Sequence, residues 1–143
     1  MEYTEIIFER ADRVATVTFN RPQALNAYTP TLGLELKTAR FDERGVTAEV
    51  IATDGPFGNL VTNLEGDDFL KLGYQRGQEV PVRVGEKQMK IKFVKTFSDV
   101  PLKQPLLYID SRGRLGLAVN QGSFSASYGV TPPVELFIPP AGK

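Results

Sequence analysis

The sequence contains no cysteine and no histidine. The first absence removes disulfides, thiolate nucleophiles and cysteine-bound metals together. The second excludes more: no Ser-His-Asp triad, Cys-His pair, histidine-ligated zinc or imidazole acid/base is available within the chain. Proton transfer is left to Asp, Glu, Lys or Tyr, and a metal site would have to be built from oxygen alone. Charge of one sign is not in excess either, since 17 Lys+Arg stand against 17 Asp+Glu. A nucleic-acid binder normally carries a basic surplus that displaces phosphate counterions, so no nucleic acid is expected as a partner. The longest cationic cluster, Lys87 to Lys95, alternates with apolar residues and reads as one face of a strand. No apolar run approaches the roughly 20 residues that span a bilayer. The opening MEYTEIIFER lacks the basic-then-apolar order of a signal peptide, so the expectation is a cytoplasmic protein with no membrane partner.

What is present is β-rich. The 143 residues make one domain, or one domain plus an appendage, with enough chain to bury a core. Residues 4 to 9 (TEIIFE) and 13 to 19 (RVATVTF) read as a hairpin turned at Ala11-Asp12. Thr29-Pro30 resembles a helix start, with TLGLELKTARF (31 to 41) able to make three turns. From Gly45 onward, short strands alternate with Gly/Pro punctuation: 46 to 53, 59 to 64, 79 to 84, 88 to 95, 105 to 110, 114 to 119 and 134 to 138. One helical turn is expected over Phe69-Leu70. Prolines 132, 133, 139 and 140 confine the last strand to an edge or a terminus. The reading is an all-β barrel or sandwich, mainly antiparallel, with an N-terminal hairpin and one or two short helices. Its divisions are 1–31 for the hairpin segment, 32–45 for a junction and 46–143 for the barrel. Strands follow strands without crossover helices, and neither GxGxxG nor GxxxxGK occurs, so a phosphate-cradling α/β fold is not indicated.

Two turns carry chemistry. In DGPFGN (54 to 59), Gly55-Pro56 and Gly58 allow a tight turn that presents the Phe57 ring and the Asn59 amide on the same side. A stacking ring and an amide that both donates and accepts suit the face and edge of an adenine. The alternative is a turn with a core phenylalanine and an asparagine bonded to its own backbone. In SRGR (111 to 114), Ser111 and Arg112 sit at a hairpin tip, where a guanidinium can grip a carboxylate bidentately beside a hydroxyl donor. A solvated arginine in a plain turn is the alternative. Arg114 points to the other face and reads as structural.

Residues 3 to 30, including NRPQALNA at Asn20 to Ala27, resemble the N-terminal hairpin of the enoyl-CoA hydratase (crotonase) family. Residues 46 to 138 resemble a different family, the C-terminal domain of the S-adenosylmethionine (SAM) hydroxide adenosyltransferases, related to SAM-dependent chlorinases and fluorinases. That likeness rests on DGPFGNLVTNL (54 to 64), TFSDVP (96 to 101) and LLYIDSRGRLGLAVNQGSF (106 to 124). The pair of resemblances implies a chimera. The second implies adenosyl contacts from Phe57 and Asn59, with Phe97 as a further aromatic wall whose alternative is a core aromatic. It also implies backbone contacts to the adenine from Asn120 and Gln121, and a methionine-carboxylate clamp from Ser111 and Arg112. A basic residue usual in the fluorinase-like branch is replaced by Val119. The family's water-activating and ribose-binding residues belong to a larger α/β domain without counterpart here, so no catalytic residue is implied.

Three readings follow. The first is a barrel that keeps part of a SAM- or adenosine-binding wall without catalysis of its own; no resident cofactor is expected, with SAM as ligand or substrate. The second is a purely structural, self-associating chimera, and homo-oligomerisation is expected under both. The third is a small carboxylate hydrolase using Asp54, Asp67, Asp68, Asp99 or Asp110, although most of these lie beside Gly or Pro as turn residues do.

Overall fold

A computed structural model describes residues 6–11, 14–20, 22–24 and 39–142. The chain forms two units, residues 1–38 and 39–143. In the first, β-branched and aromatic runs build the antiparallel strands β1 (Ile6–Ala11) and β2 (Val14–Phe19), with Ile6 opposite Phe19 and Ala11 opposite Val14. A short 3-10 turn follows at Pro22–Ala24. The helix expected from Thr29 falls mostly outside the described residues. Its expected end does not hold, because Arg40 and Phe41 lie in the strand β3 (Arg40–Asp42). The cause is local: Asp42 accepts the Arg44 backbone N–H at 2.8 Å and pairs with its guanidinium, which tightens a turn into β4 (Gly45–Asp54).

The second unit is a closed barrel of seven strands with β3 appended. The remaining strands are β5 (Asn59–Glu65), β6 (Glu79–Val84), β7 (Lys87–Phe93), β8 (Pro105–Ile109), β9 (Arg114–Val119) and β10 (Val134–Ile138). Their order is β10-β6-β7-β8-β9-β5-β4, and β10 pairs again with β4 to close the ring. All neighbours are antiparallel except β7 and β8. The last strand is therefore not an edge. Its flanking prolines lie outside Val134–Ile138, so every ladder N–H survives, and both sides are used: Val134 to Ile138 pair with Val50 to Val46, while Leu136 pairs with Val84.

Alternation along the strands fills the interior. Val46, Ala48 and Val50 of β4 and Leu60, Thr62 and Leu64 of β5 all point inward and are buried. The Thr62 hydroxyl donates to the Leu115 carbonyl at 2.6 Å, which satisfies the polar atom inside an apolar core. Helix α1 (Gly66–Leu70) contributes Phe69, whose ring stacks on Tyr74 at 5.8 Å and meets Phe93 edge-on at 4.9 Å. A second short helix, α2 (Phe124–Tyr128), was not legible in advance; Ser123 caps it by accepting the Ala126 N–H at 3.1 Å. Among the described residues no helix is long and apolar enough to cross a membrane.

One irregularity positions the site. Between the pairs Val50–Thr62 and Ala52–Val61 the register of β4 shifts by one residue at Ile51. A bulge of this kind re-aims the strand beyond it. Residues 51–54 are accordingly exposed, and they lead into the 3-10 turn Gly55–Phe57 at the rim of a groove.

Candidate functional site

The groove has a volume of about 760 Å³ and is lined by residues from the β4–β5 turn, the β8–β9 hairpin tip, the 3-10 turn before β8 and the segment after β9. Phe57, Asn59, Phe97, Ser111, Arg112, Asn120 and Gln121 all lie on its wall. The residues singled out from the sequence are thus brought together, although 64 positions separate Phe57 from Gln121 in the chain.

Two of the structural alternatives fail on exposure. Phe57 is 67% exposed and Phe97 36%, so neither is a core aromatic. Both rings are open to the groove, where a flat base could lie against them. Asn59 departs from its alternative differently. It is only 7% exposed, yet among the described residues its side-chain amide makes no hydrogen bond. Among the described residues no buried side-chain nitrogen or oxygen lacks a partner, so the unbonded amide of Asn59 reaches solvent, and the residue lines the groove.

A tyrosine that sequence reasoning passed over completes the aromatic wall. Tyr108 lies opposite Gly116 across the β8–β9 pair, and a Cβ on Gly116 would fall 2.9 Å from its ring, so the missing side chain is what lets the ring lie flat over the strand. Phe97 leans on it with centroids 5.2 Å apart at 58°. Burial, then the charges of Asp110 and Asp54, push the Tyr108 phenol above its ordinary value. The phenol therefore stays protonated and able to donate. The signal was a glycine inside the strand RLGLAV, a common partner for an aromatic lying crosswise.

The tip of the β8–β9 hairpin is built by Asp110. Its Oδ1 accepts the backbone N–H of Arg112 at 2.8 Å and of Arg114 at 2.9 Å, which fixes the tip and projects Ser111 and Arg112 into solvent. The Arg112 guanidinium has no ion-pair partner among the described residues. Arg114 instead stands 4.0 Å from Glu65, outside the groove.

Asn120 is more committed than expected. Its amide nitrogen donates to the Val100 carbonyl at 2.8 Å, while its backbone N–H and C=O bond Gln104 and Lys103. What it has left for a ligand is its amide oxygen and one amide hydrogen.

The turn bearing Phe97 is held by Asp99. Its Oδ2 accepts from the backbone of Thr96 at 2.9 Å and Lys95 at 3.2 Å, and these bonds, the Thr96 one foremost, hold its carboxyl below the ordinary value of 3.8. A carboxyl with a lowered folded pKa adds stability above its unfolded value and loses it as pH falls through the folded one. Between ~pH 4 and ~pH 2, Asp99→Asn should therefore lose less thermal stability than the unaltered protein. Parallel melting curves at both pH values check this, with equal losses as the contrary result.

The five aspartates weighed for hydrolysis do not converge. Asp54 and Asp110 line the groove, Asp99 caps its turn, and Asp68 pairs with Lys71 at 2.7 Å on α1 beside Asp67. Among the described residues no group of three or more acidic side chains could hold a metal ion.

Comparison with known proteins places this barrel. A family model for the SAM hydroxide adenosyltransferase C-terminal domain matches residues 48–136, more than half of the chain. Curated relatives include a fluorinase of Actinoplanes sp. (strain N902-109), 37% identical over 89 residues that cover 59% of this chain and 29% of that protein. Another is a fluorinase of Actinopolyspora mzabensis, 30% identical over 60% of this chain and 29% of its own length. A solved structure of an uncharacterized conserved protein from Thermotoga maritima superposes with a TM-score of 0.67 at 38% identity, covering 71% of this chain and 38% of that one. The chain thus spans under a third of the length of these curated relatives. The family match begins at residue 48, and nothing in these comparisons supports the likeness of residues 3–30 to crotonases or the fusion it implied.

Proposed function

The chain belongs to the family of SAM hydroxide adenosyltransferase C-terminal domains, and we propose that its groove is one wall of a SAM- or adenosine-binding site that performs no chemistry alone. The observation that carries this reading is Asn59, a residue only 7% exposed on the groove wall whose accessible side-chain amide makes no hydrogen bond among the described residues. Phe57 and the Phe97–Tyr108 pair offer stacking faces beside it. At the far end, Ser111 and Arg112 suit a carboxylate, and Asp54 with Asp110 supplies negative charge suited to an ammonium group. An amino acid carries both.

The groove is open, so a ligand held by this wall alone keeps much of its surface in water. Its dissociation constant is expected on the order of millimolar. The opposing wall is then the task of another surface, either an α/β domain of the kind that the family resemblance implies or a second copy of this chain. Exposed Phe57 and Phe97 at the rim favour such a covering partner.

Arg112→Ala separates the two ends. It should weaken SAM by about tenfold or more, since a charge-assisted pair contributes ~1.5–3 kcal/mol, and leave adenosine unchanged. Titrations monitored by protein chemical shifts check both ligands, and equal losses for the two would place Arg112 outside the clamp.

A further inference from the structure

Among the described residues, two that are not glycine have a positive φ: Lys103 at 65° and Gln121 at 51°. Each is the third residue of a four-residue turn, closed by Gln104 N–H to the Pro101 carbonyl at 3.2 Å and by Gly122 N–H to the Val119 carbonyl at 3.0 Å. Leu102 and Asn120, the second residues, have negative φ. Both turns are therefore of type II, whose third position normally takes glycine because a Cβ is crowded there.

The two strained turns are bonded to each other. Lys103 N–H donates to the Asn120 carbonyl at 2.8 Å, and Asn120 N–H donates to the Gln104 carbonyl at 3.0 Å. The Lys103 ammonium reaches across and donates to the Gln121 carbonyl. A glycine at 103 would form the turn with less strain but could not make that last bond. Gln121 lines the groove and Lys103 does not. With the Asn120 carbonyl turned toward Lys103, the planar trans peptide directs the Gln121 N–H the opposite way.

We propose that Lys103 is a positioning residue for the groove: its backbone N–H holds the Asn120 carbonyl and its ammonium the Gln121 carbonyl, so the two peptides on either side of Gln121 are fixed in the orientation that meets the base of the ligand. The strain retained at both turns is consistent with a device kept for placement, since strained backbone persists where the surroundings over-determine it. This inference rests on the adenosyl reading above.

The test uses adenosine as probe and three variants of the full chain. Lys103→Met keeps the aliphatic stem and the strained backbone but removes the donor. It should raise the dissociation constant about tenfold at unchanged Tm, the scale of one lost orienting bond. Lys103→Arg, which restores a donor, should return it to within about twofold of the unaltered protein. Lys103→Gly should raise Tm while still losing affinity, a split that a purely structural lysine would not produce. Without ligand, the Gly122 amide of Lys103→Met should exchange with solvent at least ~10-fold faster while the Leu117 amide is unchanged. A Met variant that binds adenosine like the unaltered protein overturns the latch and leaves the adenosyl reading standing. If the unaltered protein shows no saturable binding, that reading fails first and the positioning role falls with it.

Discussion

Asn59→Ala should abolish measurable adenosine binding while leaving the protein as stable as before. The affinity loss follows from the two hydrogen bonds that the amide can give an adenine edge; at ~1 kcal/mol each they amount to about 30-fold. A millimolar site weakened that far falls outside the range where saturation can be followed. The unchanged stability follows from what the amide does in the free protein. Among the described residues it holds no partner, so truncation breaks no internal bond. Most polar residues this deeply buried are paired, and their loss destabilises. A melting curve and a titration on the same sample separate the outcomes. A destabilised variant with intact binding would mean that Asn59 serves the fold.

Gly45→Ala should be the most damaging single methyl that can be added to the barrel. Gly45 opens β4 with φ of 143°, and a Cβ there would sit 2.1 Å from the Ile138 carbonyl oxygen and 2.7 Å from the Pro139 Cα. Both atoms are backbone, so no rotamer change relieves the clash; β10 must move. That strand is the closing stave, paired with β4 from Val46–Ile138 to Val50–Val134 and with β6 at Leu136. Displacing it exposes Leu136 and Ile138, both fully buried. The expected loss is about 4 kcal/mol or more, in the range that point mutations reach only through such mechanisms. Urea unfolding checks it as a lowered midpoint, and a variant with the unaltered midpoint would show that the seam between β10 and β4 yields readily.

Local pattern explains what was legible beforehand. The β6–β7 hairpin announces itself through strict alternation around Gly85 and the β8–β9 hairpin through its turn at Gly113, and both form as antiparallel pairs, with Lys87 drawn from the expected turn into the strand opposite Val84. Closure was not legible, because β10 meets β4 across more than 80 residues of chain and no local signal records that pairing. Prolines beside β10 suggested an edge, whereas their positions just outside the strand leave its ladder whole. The apolar spacing of TLGLELKTARF suggested helix through Phe41, but the Asp42–Arg44 turn and pairing with Val46 and Thr47 draw Arg40 and Phe41 into a strand.

The groove divides in the same way. Phe57, Asn59, Ser111 and Arg112 stand in compact turn motifs, and the turns place them on one wall. Tyr108 and Lys103 escaped notice because their roles depend on partners distant in sequence: Gly116 beneath one, the Gln121 carbonyl beneath the other. Asn120 carries both kinds of role, facing the groove while its amide ties down Val100.

The most direct measurement is a calorimetric titration of the unaltered protein with SAM and, separately, adenosine, followed by chromatography of the SAM mixture for released adenosine and methionine. The account predicts saturable heat with both ligands at millimolar concentrations and intact SAM at the end. No heat from either ligand would reduce the groove to a by-product of barrel turns. Adenosine released from SAM would contradict the claim that this wall performs no chemistry alone.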